Sequence, residues 1–184
     1  MGGALTQDKT PSETQQLRER LLQLYRTYRT ALLNRKYYAC RLTTYRRWNL
    51  SLEIALAVGT SGTIGAWAVW KDGDGKYAWT IIAGLAAVLA VLKPILALPK
   101  QIERYTKLFA GYTDLFYDLE QSSNEIKVSR SISRETLKSY NRALDRFRKL
   151  STDDDPKPDE KLKRKCYDEV LTEIPASTLW VPTA

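Results

Sequence analysis

The chain of 184 residues contains no histidine. That absence removes every catalytic arrangement built on imidazole, from Ser/His/Asp and Cys/His pairs to HExxH zinc sites. Cysteine is nearly as scarce, with Cys40 and Cys166 the two present. They are too few for a disulfide framework or a four-ligand zinc centre and too far apart for a CxxC pair, so they read as unpaired thiols facing a reducing cytosol. No nucleophile-base pair is visible either. The expectation is therefore a protein that is not an enzyme, with no catalytic residue, no metal site and no cofactor.

Charge is missing from two long stretches. Residues 50–70 carry Glu53 alone and residues 77–98 carry Lys93 alone. At a rise of 1.5 Å per residue, helices of this length reach roughly 30 Å, the thickness of a bilayer's hydrocarbon core. The mean hydropathy of −0.40 hides these stretches because both flanks are strongly polar. Between them, the polar turn 71–76 holds Gly73 and Gly75, as a tight connection between two helices requires. Trp48, Trp67, Trp70, Tyr77 and Trp79 fall where aromatic side chains meet a membrane interface. A soluble core helix would keep a polar stripe, and a cleaved signal would start earlier in the chain. The reading is an all-α membrane protein with a two-helix transmembrane hairpin over residues 50–98.

Orientation follows from the basic residues. Ahead of the first span stand Lys9, Arg18, Arg20, Arg26, Arg29, Arg35, Lys36, Arg41, Arg46 and Arg47, against Asp8, Glu13 and Glu19. Most of the net charge of +8 therefore lies in this segment. The juxtamembrane group is Arg35, Lys36, Arg41, Arg46 and Arg47, while the turn is neutral and Lys100, Arg104 and Lys107 follow the second span. The topology is N-in, C-in, with both flanks cytoplasmic and the lipid bilayer as a partner.

The flanks read as long cytoplasmic helices forming a helical bundle or coiled coil. Residues 1–11 look disordered, and residues 12–49 form a basic helix capped by Thr10 or Ser12, with Leu17, Leu21, Leu24, Tyr28 and Ala31 on one seam. Residues 99–150 hold two further helices. In the first, Ile102, Tyr105, Phe109, Tyr112, Phe116 and Leu119 alternate at heptad spacing, which points to an oligomer seam and a homo-oligomer. Pro94 and Pro99 are expected to kink the exit from the bilayer. The second starts after Ser133, and Leu137, Tyr140, Leu144 and Phe147 point inward. Residues 151–158 read as a linker in which Asp153, Asp154 and Asp155 form a solvated turn. Residues 159–184 supply a last helix and an apolar tail, 179–182, suited to docking.

This order of parts resembles the SLATT family, two-transmembrane domains associated with bacterial second-messenger synthases and sensors in anti-phage conflict systems. The residues that carry the likeness are Tyr45-Arg46-Arg47-Trp48, the two spans, and Glu103-Arg104-Tyr105. The resemblance covers roughly residues 17–150 and lies in architecture and spacing. It implies an effector of the bacterial inner membrane that assembles and forms a pore to kill or arrest infected cells. It also implies a partner that synthesises or senses a nucleotide second messenger.

For such a pore, Glu53, Thr60, Ser61 and Ile64 are the candidate lining residues, with Glu53 the one charged group. Lys93 lies at comparable depth and is the candidate intramembrane partner of Glu53. Gly59, Gly62 and Gly65 on the first span, with Ala83, Ala87 and Ala90 on the second, are the candidates for close helix packing. Two other functions fit the sequence. The heptad helix suits a non-conducting membrane scaffold, and the Tyr- and Arg-rich run 25–38 has the chemistry for a nucleic-acid partner.

Overall fold

The computed structural model describes residues 11–69 and 75–182, and side chains among them except at 11–14, 60–69, 75, 76, 78–80, 82 and 83. The described residues form five α-helices, α1 (Pro11–Val69), α2 (Gly75–Leu96), α3 (Leu98–Ser129), α4 (Arg134–Thr152) and α5 (Glu160–Glu173), then a 3-10 turn at Ala176–Thr178. No strand occurs among them, so the fold is all-α.

Between Pro11 and Gly59 the sequence has neither Gly nor Pro, and Pro11 stands at the first helical position, where its missing N–H is not needed. Nothing therefore ends the helix at residue 49. The basic segment and the stretch expected as a separate first span are one uninterrupted helix. Thr10 lies outside the described residues, as does most of the expected turn, while Gly75 already belongs to α2.

The expected kink near Pro94 and Pro99 falls between them. Pro94 stays inside α2, and the backbone turns at Ala97, whose φ of 44° lies in the left-handed region. The Ala97 carbonyl then accepts hydrogen bonds from Lys100 N (3.0 Å) and Gln101 N (3.2 Å), which opens α3. From Gly84 onward α2 meets α3 at a bend of 41°. Pro99 needs no partner in that first turn, whereas Pro94 leaves the Ala90 carbonyl without its usual helical donor close to the end of α2.

The chain divides into two compact units, Met1–Tyr38 with Leu108–Ala184 and Ala39–Lys107. In the first, Leu21, Leu24, Tyr28, Ala31 and Leu32 of α1 and Leu108, Tyr112, Leu115, Phe116, Leu119 and Ile126 of α3 are buried, and α4 and α5 add Tyr140, Ala143, Cys166 and Val170. These positions recur every three or four residues, so each helix contributes one stripe to a common core. Gly111 lets α3 approach α4, since a Cβ there would lie 2.5 Å from Leu150 Cδ2. Ser133 caps α4 by accepting from Thr136 N (3.0 Å), and Asp159 caps α5 by accepting from Leu162 N (3.0 Å). In the second unit, Leu42, Gly59, Leu98 and Tyr105 are buried.

Arg130 closes α3 with φ at 50°, a conformation that favours glycine, and its side chain is exposed. Arg130→Gly is expected to stabilise the fold by about 0.5–1 kcal/mol. A rise in thermal midpoint followed by circular dichroism is the check, and a fall would show that the Arg130 side chain matters more than its backbone.

Candidate functional site

The unit spanning residues 39–107 exposes an unusual amount of apolar side chain. Trp48, Leu50, Ile54 and Val58 of α1, and Tyr77, Ile81, Leu85, Val88, Val91 and Ile95 of α2, each leave more than half of their surface uncovered. Their spacing of mostly three or four residues puts them in one row on each helix. Soluble monomers rarely carry contiguous apolar patches beyond a few hundred Å². Among the described residues no single helix is long and apolar enough to cross a membrane, while α2 from Gly84 and α3 meet that length and composition requirement only as a bent pair.

On the covered sides of the same helices run Leu52, Leu56 and Gly59 of α1 and Ala86, Leu89 and Lys93 of α2, half-buried or buried. The backbones touch at Gly59, where an added Cβ would lie 2.5 Å from Ala86 Cβ. Gly59 is thus a packing glycine. Ala87 and Ala90, expected on the contact face, are exposed instead. The contact belongs to Ala86, and each step along a helix rotates the side chain by about 100°. Gly62, Gly65 and Ala83 lie outside the described side chains.

Of the expected pore-lining residues, Thr60, Ser61 and Ile64 also lie outside the described side chains. Glu53 is exposed, and its Oε1 accepts a hydrogen bond from Asn49 Nδ2 at 2.9 Å. Among the described residues it has no ion pair with Lys93, the expected charge partner. The reason is geometric: Glu53 sits on the outward row, one turn beyond Asn49, whereas Lys93 lies on the covered side of α2. A Glu four residues after an amide donor is a pairing that helix spacing makes legible.

The basic group expected beside a membrane divides. The Arg35 guanidinium lies over the rings of Phe116 (5.1 Å) and Tyr117 (5.2 Å). Lys36 pairs with Glu169 (3.1 Å) and Glu173, and the Glu173 hydrogen bond leads in raising its pKa. Arg41 donates to Tyr105 Oη (3.2 Å) and packs against the rings of Tyr45 and Tyr105. Arg46 and Arg47 are exposed. Tyr25, Tyr28, Tyr37 and Tyr38, needed for base stacking in a nucleic-acid interface, are buried in the fold.

The expected oligomer seam is covered within the chain. Tyr105, Tyr112, Phe116 and Leu119 are buried, and Ile102 and Phe109 are half-buried. Phe116 stacks on Tyr28 at 5.2 Å between centroids, Tyr112 stacks on Tyr38 at 5.6 Å, and Tyr105 lies 5.0 Å from Tyr45. The heptad of α3 faces α1 of the same chain. A heptad reports that a helix has an apolar stripe to cover, and here α1 covers it.

The aspartate run also differs from a solvated turn. Tyr38 Oη and Tyr112 Oη both donate to Asp154 Oδ1, at 2.9 and 2.8 Å, and Tyr37 Oη donates to Asp155 Oδ2 at 3.3 Å. In return, Tyr38 Oη accepts from Asp155 N (3.1 Å) and Tyr37 Oη accepts from Asp159 N (3.0 Å). Three phenols thus hold the connection between α4 and α5. Hydrophobic periodicity carries no signal for this, because the tyrosines read as apolar core and the aspartates as loop. The tail docks as well: Arg29 Nη2 donates to Ile174 O (2.6 Å), and Tyr25 Oη donates to Trp180 O (2.8 Å). Among the described residues no group of three or more Cys, Asp or Glu side chains is placed to hold a metal ion.

No family model matches this chain, and no curated protein and no solved structure matches it.

Asp154→Ala removes the acceptor of two buried hydroxyls. It is expected to destabilise the fold by about 1–3 kcal/mol. The urea midpoint reports this, and an unchanged midpoint would mean that the phenols hold the connection without it. Alkali supplies a second test. Desolvation is the leading cause that raises the phenols of Tyr25, Tyr38, Tyr112 and Tyr140, and it takes Tyr28 to about 12. The folded state keeps protons that the unfolded chain releases near 10, so stability is full below about pH 10 and falls as pH rises toward 12. Part of the tyrosinate absorbance is expected to appear only as helicity is lost. Complete phenol titration near pH 10 with helicity intact would contradict the burial.

Proposed function

We propose that the chain is a membrane protein in which the exposed rows of α1 and α2 face lipid, the flanks are cytoplasmic, and the assembled protein acts as an effector of the bacterial inner membrane. The observation that carries the membrane part is the exposed apolar row itself: ten large apolar or aromatic side chains lie uncovered on two helices that touch at Gly59 and Ala86. Lipid satisfies such a surface without a protein partner. The stretches 50–70 and 77–98, with Glu53 and Lys93 as their charges, support the same reading. Pore formation to kill or arrest infected cells in anti-phage defence, with a second-messenger synthase or sensor upstream, rests on the resemblance to SLATT domains. In this reading Glu53 faces outward from the helix pair and would line a pore only between copies of the chain.

A second reading, a non-conducting membrane anchor for the bundle, is favoured by one observation. The α3 heptad, which the sequence offered for self-association, is already covered by α1. Any oligomer must use another surface. A nucleic-acid interface is disfavoured by the burial of its stacking rings.

Flotation with liposomes tests the membrane part. The wild-type chain is expected in the lipid fraction. Val88→Arg, near the middle of the second apolar stretch, is expected to reduce that fraction, because an arginine at mid-bilayer costs about 2.5–3.5 kcal/mol on insertion scales. Protein that stays out of the lipid fraction would end the membrane reading. Ion leakage from the same liposomes separates the two functions: conductance whose cation preference falls in Glu53→Ala supports the pore, and a silent, monodisperse single chain supports the anchor.

A further inference from the structure

A cavity of about 280 Å³ lies between α1 and α5, walled by Arg26, Arg29, Thr30 and Leu33 of α1 and by Tyr167 and Leu171 of α5. Its charged groups are both guanidinium, and no carboxylate lines it. The nearby carboxylates Glu169 and Glu173 bond to Lys36. Among the described residues Arg26 has no ion pair. Arg29 gives one Nη to the Ile174 carbonyl, while its Nε is buried with no hydrogen-bond partner. A buried donor without an acceptor is costly, and it is the kind of group that a ligand satisfies.

We infer that this cavity binds the phosphate group of a small phosphate monoester. Two guanidinium groups match the charge of about −2 that such a group carries near neutral pH, and each presents a fork of N–H donors suited to two phosphate oxygens. Leu33, Leu171 and the half-exposed ring of Tyr167 offer an apolar wall for the carbon body of the ligand. The volume sits at the lower end of ligand pockets, which start near 300 Å³, so the body is of pentose size and not a dinucleotide. The site lies within the unit built from residues 1–38 and 108–184 and stands independently of the membrane reading.

Isothermal titration of the full chain in a maltoside detergent at fixed ionic strength tests this with three probes: inorganic phosphate, ribose 5-phosphate and dihexanoyl phosphatidate. Saturable one-to-one binding is expected, weakened at least about tenfold in Arg26→Ala, whose side chain supports no other described contact. Arg29→Lys, with its folding verified by helicity, is expected to weaken binding similarly, and Arg130→Ala is expected to leave it unchanged. Tighter binding of ribose 5-phosphate marks a soluble ligand, and tighter binding of phosphatidate marks a lipid headgroup. Failure of all three probes to saturate, or an equal loss in Arg130→Ala, would overturn the site.

Discussion

The stacking of α1 tyrosines on the aromatic stripe of α3 is the contact on which the bundle depends. Tyr28 on Phe116 and Tyr38 on Tyr112 set the register between the two helices, and each pair recruits something further. Arg35 covers the outer side of Phe116, and the hydroxyls of Tyr38 and Tyr112 reach Asp154. Rings bury large areas with few rotatable bonds, so they supply both apolar contact and a fixed direction for the polar atom at the tip. Without that direction the Asp154 carboxylate in the connection between α4 and α5 would have no donor aligned to it. The C-terminal tail relies on the same helix face through Tyr25 and Arg29.

Arginine and lysine in α1 do two kinds of work that composition does not separate. Arg29, Arg35, Lys36 and Arg41 hold a carbonyl, two rings, two carboxylates and a phenol within the fold, whereas Arg46 and Arg47 stay exposed. Exposed ion pairs contribute little, but a guanidinium laid over rings also covers apolar area with its stem. Part of the basic run that reads as a topology signal is therefore also a scaffold for the bundle.

Much of the helical layout was legible in the sequence, because it depends on local pattern. The stripes at Leu21, Leu24 and Tyr28 and at Tyr112, Phe116 and Leu119 announce helices with one buried face. Which surface buries them was not legible. Heptad spacing is the same whether the partner helix belongs to another chain or lies earlier in the same one, and that is why α3 reads as an oligomer seam. Break points were readable only approximately: two prolines flag a bend, but its location at Ala97 depends on which carbonyl begins the next helix. The phenol-carboxylate contacts were invisible, since they join residues 42 to 118 positions apart and neither residue type departs from its usual reading. At Glu53, depth along the two helices sets its charge level with Lys93, but the direction in which each side chain leaves its helix is not carried by depth.

The phenol-carboxylate clasp ties the α4–α5 connection to both long helices. Asp154 Oδ1 accepts from Tyr38 of α1 and from Tyr112 of α3, so two helices and the connection after α4 meet at one oxygen. Sliding either helix past the other has to carry the connection along or break a buried bond, so the clasp works as a latch between them.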